Sequence, residues 1–280
     1  MMPAGPKGGG SGRRGGVPSR FLLTPFFLDR PEPGLRPLAG AGWEVHEGAL
    51  PAGQLLARLA ARHAPIARWV AEAVASGRRP VSLAGDCVAA IPVLAGLQRA
   101  GVDPLLVWFD AHGDFNTFET TPSGFLGGMP LAMLVGRGEQ ALCRAVGVRP
   151  LPEEQVILTD ARDLDRPGEA AAVTASQIAH LPRVGLLVGH QLEQRPIWVH
   201  FDTDVLRPED APAQNYLAPG GPSPDELAEV FERLCASGRV VAVSVSCWNP
   251  ALDVGGATAR VCLDLLSRLL GEEVAGCGGG

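Results

Sequence analysis

The chain lacks the features that mark membrane, nucleic-acid-binding or disulfide-stabilised proteins. No segment reaches the roughly 18 consecutive apolar residues that a membrane helix requires. Arginine and lysine are scattered and the net charge is -6, so no basic stripe for nucleic acid is present. The six cysteines are unevenly spaced and include no CxxC pair, which argues against a disulfide framework. These absences predict a cytoplasmic protein in a reducing setting, with no membrane and no nucleic acid as partner.

Both ends of the chain have little apolar content. Residues 1–20 are basic and rich in glycine and proline, and residues 272–280 end in a glycine run. Such segments bury too little apolar surface to offset the entropy of ordering. We therefore expect an N-terminal tail over 1–20, a single domain over 21–271 and a C-terminal tail over 272–280. A secretory signal is not expected, because the apolar stretch after residue 20 is short and contains a proline.

Between the tails, short apolar runs alternate with stretches of helical composition. Five such runs are bounded by turn residues, at 80–85, 104–112, 155–163, 195–204 and 240–250. Continuous apolar runs are typical of parallel strands buried on both faces, and the alternation is typical of βαβ units. The chain is therefore predicted to be a three-layer α/β/α sandwich with a central, mostly parallel sheet. A dinucleotide-binding fold is disfavoured because no GxGxxG follows an early strand.

Polar and acidic residues cluster where several of these runs end. The residues concerned are Asp86, Cys87, Asp110, His112, Asp114, Asp163, Asp165, Asp202 and Asp204. The carboxyl ends of parallel strands meet at one edge of the sheet, where ligands bind in folds of this kind. Carboxylates gathered on a half-buried edge repel one another and need a cation. The pattern predicts a metal site.

The composition of the cluster indicates which metal and which reaction class to expect. Residues two apart in a strand share a face, so His200, Asp202 and Asp204 point the same way. Four carboxylates with one imidazole suit Mn²⁺, with Fe²⁺, Co²⁺ and Ni²⁺ as alternatives, and they can neutralise two ions. Two such ions would hold a bridging water and make hydroxide available at neutral pH. The predicted reaction is metal-assisted hydrolysis.

Three segments carry a resemblance to a known family. WFDAHGDFNT (108–117), HFDTDVLRPEDAP (200–212) and AGDC (84–87) resemble the arginase/agmatinase, or ureohydrolase, family in the right order along the chain. This resemblance implies a central eight-stranded parallel sheet and a dimanganese site that hydrolyses linear amidines through a metal-bridging hydroxide. The implied substrate is a small amino acid that resembles arginine.

The resemblance also implies roles for individual residues. Those that match metal ligands are Asp110, His112, Asp114, Asp202 and Asp204. Asp114 further matches the carboxylate that holds the hydroxide and passes its proton to the leaving amine. Asn116 and Ser123 match residues that bind a substrate α-carboxylate, and Asp165 resembles the residue near the α-ammonium group.

Three positions depart from the family pattern. Cys87 stands where the family has a histidine ligand, Gly127 where arginases have a proton-shuttling histidine, and Cys247 where the family has the glutamate that binds the guanidinium. A deprotonated Cys87 is a competent metal ligand, and the alternative is a small buried residue. With Cys87 as a ligand, the four carboxylates and the thiolate carry a total charge of -5 against +4 for two metal ions. This excess negative charge makes the bridging water less acidic. The centre would then favour a more electrophilic substrate or a better leaving group.

The other two departures affect proton transfer and substrate charge. Without a histidine at 127, His200 is a candidate proton donor to the leaving amine, and the alternative is a packed histidine. Without a carboxylate at 247, a permanently charged guanidinium would lack its counter-ion in a partly desolvated pocket. Cys247 would instead contact a less basic group. An N-hydroxyguanidine meets these conditions.

The segment HGDFNTFETTPSGFLGGM (112–129) together with Cys87 resembles most closely the Nω-hydroxy-L-arginine hydrolase branch of the family. The hypothesis is a Mn²⁺-dependent amidine hydrolase that acts on an arginine-like amino acid. One alternative is a catalytically altered member that binds metal or a small amino acid without turnover. Another is an enzyme with Cys247 as nucleophile, but no histidine follows His200 to act as its base.

Overall fold

A computed structural model of the protein describes residues 17–246 and 248–274. Its main sheet has eight strands, all parallel, in the order β4-β1-β5-β10-β9-β6-β7-β8. These strands are β1 (Ser19–Thr24), β4 (Glu44–Val45), β5 (Arg79–Ala84), β6 (Leu105–His112), β7 (Val156–Asp163), β8 (Ala179–Leu181), β9 (Ile197–Asp202) and β10 (Val240–Ser246). A separate antiparallel pair comprises β2 (Phe26–Phe27) and β3 (Arg30–Pro31).

Helices cover both faces of this sheet. The described helices are α1 (Leu55–Ala75), α2 (Ala90–Arg99), α3 (Pro130–Leu134), α4 (Ala141–Val146), α5 (Gly168–Thr174), α6 (Pro224–Ala236) and α7 (Ala257–Leu270). One core cluster joins α1 to α5 to the face that carries Trp108 and Trp198. The other joins α6 and α7 to the opposite face, where Phe109 and Phe201 both pack edge-on against Phe231. The predicted three-layer α/β/α sandwich is confirmed.

The five predicted strands correspond to β5, β6, β7, β9 and β10, the strands at the centre of the sheet. Their continuous apolar character follows from burial on both faces. Ser223 is the N-cap residue of α6. Ser223 Oγ accepts a hydrogen bond from the Glu226 amide, and the Glu226 carboxylate accepts one from the Ser223 amide. This reciprocal capping box satisfies amide groups that the first helical turn leaves unpaired.

The domain extends beyond the limits expected from composition. Ser19 and Arg20, assigned to the N-terminal tail, pair with Arg79 and Pro80 as the first residues of β1. At the other end Val274 is buried and its amide donates to Ser267 Oγ. Backbone pairing and apolar contact thus order residues whose composition alone favoured tails. The remaining tail assignments, for 1–16 and 275–280, lie outside the described residues.

Among the described residues, no helix combines the length and the apolar character needed to cross a bilayer.

Candidate dinuclear metal centre

A cavity of about 320 Å³ opens at the carboxyl edge of the sheet. Eight acidic side chains from residues 17–246 and 248–274 line it: Asp86, Asp110, Asp114, Asp163, Asp165, Glu169, Asp202 and Asp204. Among the described residues that line it, none is lysine or arginine, and His112 is the one imidazole. Carboxylates so concentrated in a partly desolvated space need compensating positive charge. The lining of the cavity therefore suits bound cations.

All six residues predicted to hold metal come together in this cavity. Their ligand atoms fall into sets lying within 4.8 Å of one another, among them Cys87 with Asp110 and Asp114, and Asp110 with His112 and Asp204. A further set contains Cys87, His200 and Asp202. Asp110 and Cys87 each belong to two of these sets. The sets come from three separate segments of the chain, at 87, 110–114 and 200–204, which the parallel sheet brings together.

Neighbouring backbone amides and one indole N–H group orient the carboxylates. Asp110 Oδ1 accepts from the His112 amide over 2.7 Å, and its Oδ2 accepts from Trp108 Nε1 over 3.0 Å. Asp202 Oδ1 accepts from the Asp204 amide over 2.8 Å, and Asp204 Oδ1 accepts from the Ala111 amide over 3.3 Å. Outer hydrogen bonds of this kind hold metal ligands in orientation.

Asp114 gives the most direct indication that a cation belongs here. The residue is buried, and its Oδ2 has no hydrogen-bond partner among the described residues. Its backbone has φ +49°, a left-handed conformation that is uncommon outside glycine. Burial raises the pKa of Asp114 well above its usual value, and the charges of Asp110 and Asp202 raise it further. An unpartnered buried carboxylate oxygen in a strained backbone position fits a metal ligand.

His112 shows how strongly the carboxylates attract positive charge. Its Nδ1 lies 3.4 Å from Asp110 Oδ1 and 3.2 Å from Asp204 Oδ2. Burial alone lowers the pKa of His112, but its hydrogen bonds to Asp110 and Asp204 outweigh that effect and raise the pKa to about 12. The imidazolium therefore pairs with the two carboxylates in the absence of metal.

Cys87 lies at the floor of the cavity, in a short 3₁₀ helix (Cys87–Ala89) that Asp86 caps through the Val88 amide. Its Sγ lies 2.9 Å from Asp202 Oδ2 and 3.0 Å from Ser246 Oγ. Burial raises the pKa of the Cys87 thiol well above its usual value, and the charges of Asp114 and Asp202 raise it further. The sulfur thus points into the carboxylate cluster instead of packing only against apolar neighbours.

Three of the residues predicted to bind substrate, Asn116, Ser123 and Asp165, also line the cavity. Asn116 Nδ2 donates to Asp165 Oδ2 over 2.8 Å. Glu169 is a site residue that was not predicted, and it accepts hydrogen bonds from the amides of Phe115 and Asp165 over 2.8 and 2.9 Å. Its carboxylate ties the loop after β6 to the loop after β7. Its place four residues after Asp165 is the only signal the sequence offers.

His200 lies beneath the cavity and does not line it. Its ring is 1% exposed and stacks on Trp108 at 3.7 Å between ring centroids. Burial lowers the pKa of His200 to about 3. This position favours the packed alternative over direct proton donation to a substrate. Cys247, the other departure near this strand, lies outside the described residues.

Aromatic side chains form a wall beside the metal ligands. Phe125 stacks on Phe27 with 6.1 Å between ring centroids, and Tyr216 lies 5.5 Å from Phe125. The Phe125 ring also fills the space beside Gly127, where an added Cβ would lie 2.3 Å from it. No local sequence pattern indicates this wall, because its members come from β2 and from two separate loops. It narrows the cavity next to Gly127.

An α/β/α sandwich with a carboxylate-lined cavity at the carboxyl edge of its parallel sheet belongs to the class of α/β folds whose site suits metal ions. Comparison with known proteins narrows this class. The model of the arginase family matches residues 45–271, and the chain belongs to that family.

Individual relatives agree with this assignment. An arginase from Bacillus caldovelox is 33% identical over 252 residues, covering 84% of this chain and 83% of the relative. An N(omega)-hydroxy-L-arginine amidinohydrolase from Streptomyces lavendulae is 31% identical over 197 residues, covering 69% of each. The native B. caldovelox arginase structure superposes with a TM-score of 0.79 at 28% identity, covering 92% of this chain and 100% of that one. The chain is a ureohydrolase, a hydrolase of carbon-nitrogen bonds in linear amidines.

Proposed function

We propose that the chain hydrolyses an arginine-like amino acid whose amidine is less basic than a guanidinium, with Nω-hydroxy-L-arginine as the leading candidate, and that it uses two Mn²⁺ ions. The observation that carries this proposal is the filling of the space beside Gly127 by Phe125. In this arrangement the ring takes the space that a histidine side chain at position 127 would need. A site without such a donor favours a substrate that makes smaller demands on proton transfer and charge compensation.

The metal ligands in this proposal are Cys87, Asp110, His112, Asp114, Asp202 and Asp204. The unpartnered Asp114 Oδ2 and the shared position of Asp110 support this set. When bound, the ions supply Lewis acidity and lower the pKa of a water molecule between them. Two ions bring +4, which offsets most of the charge of four carboxylates and a thiolate.

Asp114 is the proposed proton carrier. Its carboxylate is buried at the centre of the ligand set and has one oxygen without a hydrogen-bond partner. It can accept a proton from the attacking water and deliver it to the amine that leaves as the carbon-nitrogen bond breaks. With Gly127 in place of a histidine and His200 beneath the cavity, this transfer depends on Asp114.

The amino-acid end of the substrate is proposed to contact Asn116, Ser123 and Asp165. The carboxyl group of Asp165 suits an α-ammonium group, while the amide and the hydroxyl suit an α-carboxylate. The hydrogen bond between Asn116 and Asp165 holds both side chains in place. The aromatic wall offers the planar amidine an apolar face that excludes water.

A substrate panel tests this function. Mn²⁺-loaded protein is incubated with L-arginine, Nω-hydroxy-L-arginine, agmatine and guanidinobutyrate, and urea and hydroxyurea are quantified. We expect hydroxyurea from Nω-hydroxy-L-arginine, with kcat/KM at least about tenfold above that for arginine, equivalent to about 1.4 kcal/mol of transition-state stabilisation. Release of neither product from any of the four would overturn the proposal and favour a member that binds metal without turnover.

A further inference from the structure

A buried chain of hydrogen bonds runs from β9 and β10 to the sulfur of Cys87. Trp198 Nε1 donates to Ser244 Oγ over 3.0 Å, and Ser244 Oγ lies 2.8 Å from His200 Nδ1. On the other side of the ring, His200 Nε2 lies 3.4 Å from Ser246 Oγ, which is 3.0 Å from Cys87 Sγ. All five side chains are buried.

The chemistry of these groups determines which of them donates in each hydrogen bond. An indole nitrogen only donates, so Ser244 accepts from Trp198. The acceptor that the described contacts provide for the hydroxyl hydrogen of Ser244 is His200 Nδ1. The ring hydrogen then resides on Nε2 and points toward Ser246. Because buried hydroxyl groups rarely stay unpaired, Ser246 directs its own hydrogen to Cys87 Sγ.

Strand geometry and packing hold these hydrogen-bonded side chains in place. His200 pairs with Ser244, and Asp202 pairs with Ser246, in the register of β9 and β10. The two serines therefore share a face with the imidazole and the metal-binding end of β9. The Trp108 indole stacks on the His200 ring at 24° between planes and restrains its rotation. Two serines in a doubly buried strand are costly unless they are hydrogen-bonded.

We propose that Ser246, oriented by His200, is a positioning residue that holds Cys87 Sγ as a metal ligand by donating a hydrogen bond to it. A hydrogen bond to a coordinated thiolate withdraws electron density from the sulfur and restricts its position. It would offset part of the extra negative charge that cysteine brings in place of histidine. The inference rests on the metal site of the proposed function, but not on turnover of any substrate.

The test is spectroscopic and uses Co²⁺-substituted protein without substrate. A thiolate ligand gives a sulfur-to-cobalt charge-transfer absorption, which Cys87→Ser must abolish. In Ser246→Ala the band should move to lower energy, because the sulfur loses its donor. The Co²⁺ dissociation constant, measured by competition with a chelator, should rise about tenfold or more.

A pair of nearly isosteric variants separates the hydroxyl from packing. Ser246→Thr keeps the hydroxyl and should retain the wild-type band energy and affinity, whereas Ser246→Val should reproduce the alanine result. If Ser246→Ala folds poorly, this pair still shows whether the Ser246 hydroxyl group affects the band energy and the Co²⁺ affinity. Ser82→Ala is the matched control, since Ser82 is a buried serine that pairs with Ser244 across β5 and β10. It should leave the band unchanged.

Two results would overturn the inference. One is a charge-transfer band that survives in Cys87→Ser, which would mean that the sulfur does not ligate. The other is equal band energy and affinity in Ser246→Thr and Ser246→Val. Absence of urea and hydroxyurea in the substrate panel, combined with a shifted band in Ser246→Val, would reject the proposed substrate class and leave the role of Ser246 intact.

Discussion

The ring of Phe125 occupies the space that a side chain at Gly127 would need. A Cβ added at Gly127 would lie 2.3 Å from Phe125 Cε1 and 2.4 Å from Cζ, whereas a Cβ at Gly128 would meet nothing within 4 Å. Gly127 carries no left-handed φ, so its need for glycine is steric. A side chain at Gly128 therefore has room, whereas a side chain at Gly127 meets the Phe125 ring.

The first prediction concerns this pair. Gly127→His alone should not raise arginine hydrolysis, because Phe125 excludes the imidazole. Overpacking should lower the free energy of unfolding by about 1–3 kcal/mol, measured by denaturant titration. The double variant Phe125→Ala/Gly127→His should recover stability and gain arginine turnover relative to Phe125→Ala. Gly128→Ala serves as the control and should match wild type. Higher arginine turnover in Gly127→His alone would contradict the steric argument.

The second prediction concerns Asp114. Asp114→Asn keeps the size of the side chain but removes its proton-carrying capacity, so kcat should fall by a factor of about 10² or more. Asp163→Asn is the matched control, because Asp163 lines the same cavity but belongs to none of the metal-binding sets of the described residues. Steady-state kinetics at saturating Mn²⁺ distinguish the two. An unchanged kcat with a raised KM in Asp114→Asn would assign that residue to binding only.

The third prediction concerns the charge of the ligand set. Cys87→His removes one negative charge from the centre and should make the bridging water more acidic. The ratio of kcat/KM for arginine to that for Nω-hydroxy-L-arginine should therefore rise. Cys143→Ala is a suitable control, since Cys143 is buried in α4 and does not line the cavity. An unchanged ratio in Cys87→His would count against the ligand-charge argument.

The fourth prediction concerns His63 and the pH dependence of stability. His63 is fully buried in α1, and neither of its ring nitrogens has a hydrogen-bond partner among the described residues. Burial lowers the pKa of His63 well below its usual value, and the charge of Arg62 adds to the shift. A folded-state pKa below the unfolded one means that its contribution to stability is complete above about pH 6.5 and is lost as the pH falls.

Replacement of His63 isolates this contribution. In His63→Met, the free energy of unfolding should decline less steeply than in wild type between about pH 7 and pH 5. The difference in slope should approach 1.4 kcal/mol per pH unit, about the value for one proton. Denaturant titrations in chelator at several pH values measure it. Parallel curves for the two proteins would show that His63 takes up no proton on unfolding.

The fifth prediction concerns metal removal. Because the ligand set forms only in the folded chain, metal binding should stabilise it by about 2.7 kcal/mol at a free-ion concentration one hundred times Kd. Thermal unfolding with Mn²⁺ and with chelator measures the difference. In Asp202→Ala the Mn²⁺-dependent increase in Tm should be strongly reduced. Equal melting temperatures with and without Mn²⁺ in wild type would argue against the site.

Much of the fold and of the ligand set could be predicted from local sequence. The central strands are continuous apolar runs because both of their faces are covered, and α6 begins at a capping box readable from Ser223 and Glu226. The helix α1 has no counterpart in the sequence prediction, and it contains Pro65 in its interior. The acids after β6 and β9 were expected to meet because parallel strands end at one edge.

What the sequence by itself determined is therefore the layer architecture and the kind of residue gathered at that edge. The tertiary structure alone decided that Phe125 fills the space beside Gly127, that His200 lies beneath the cavity, and that Ser246 reaches Cys87 across a sequence separation of 159 residues. Alternation along a strand states which side chains share a face, but not which segments pack against that face. Those contacts depend on loop paths and on packing between distant elements, which no local pattern encodes.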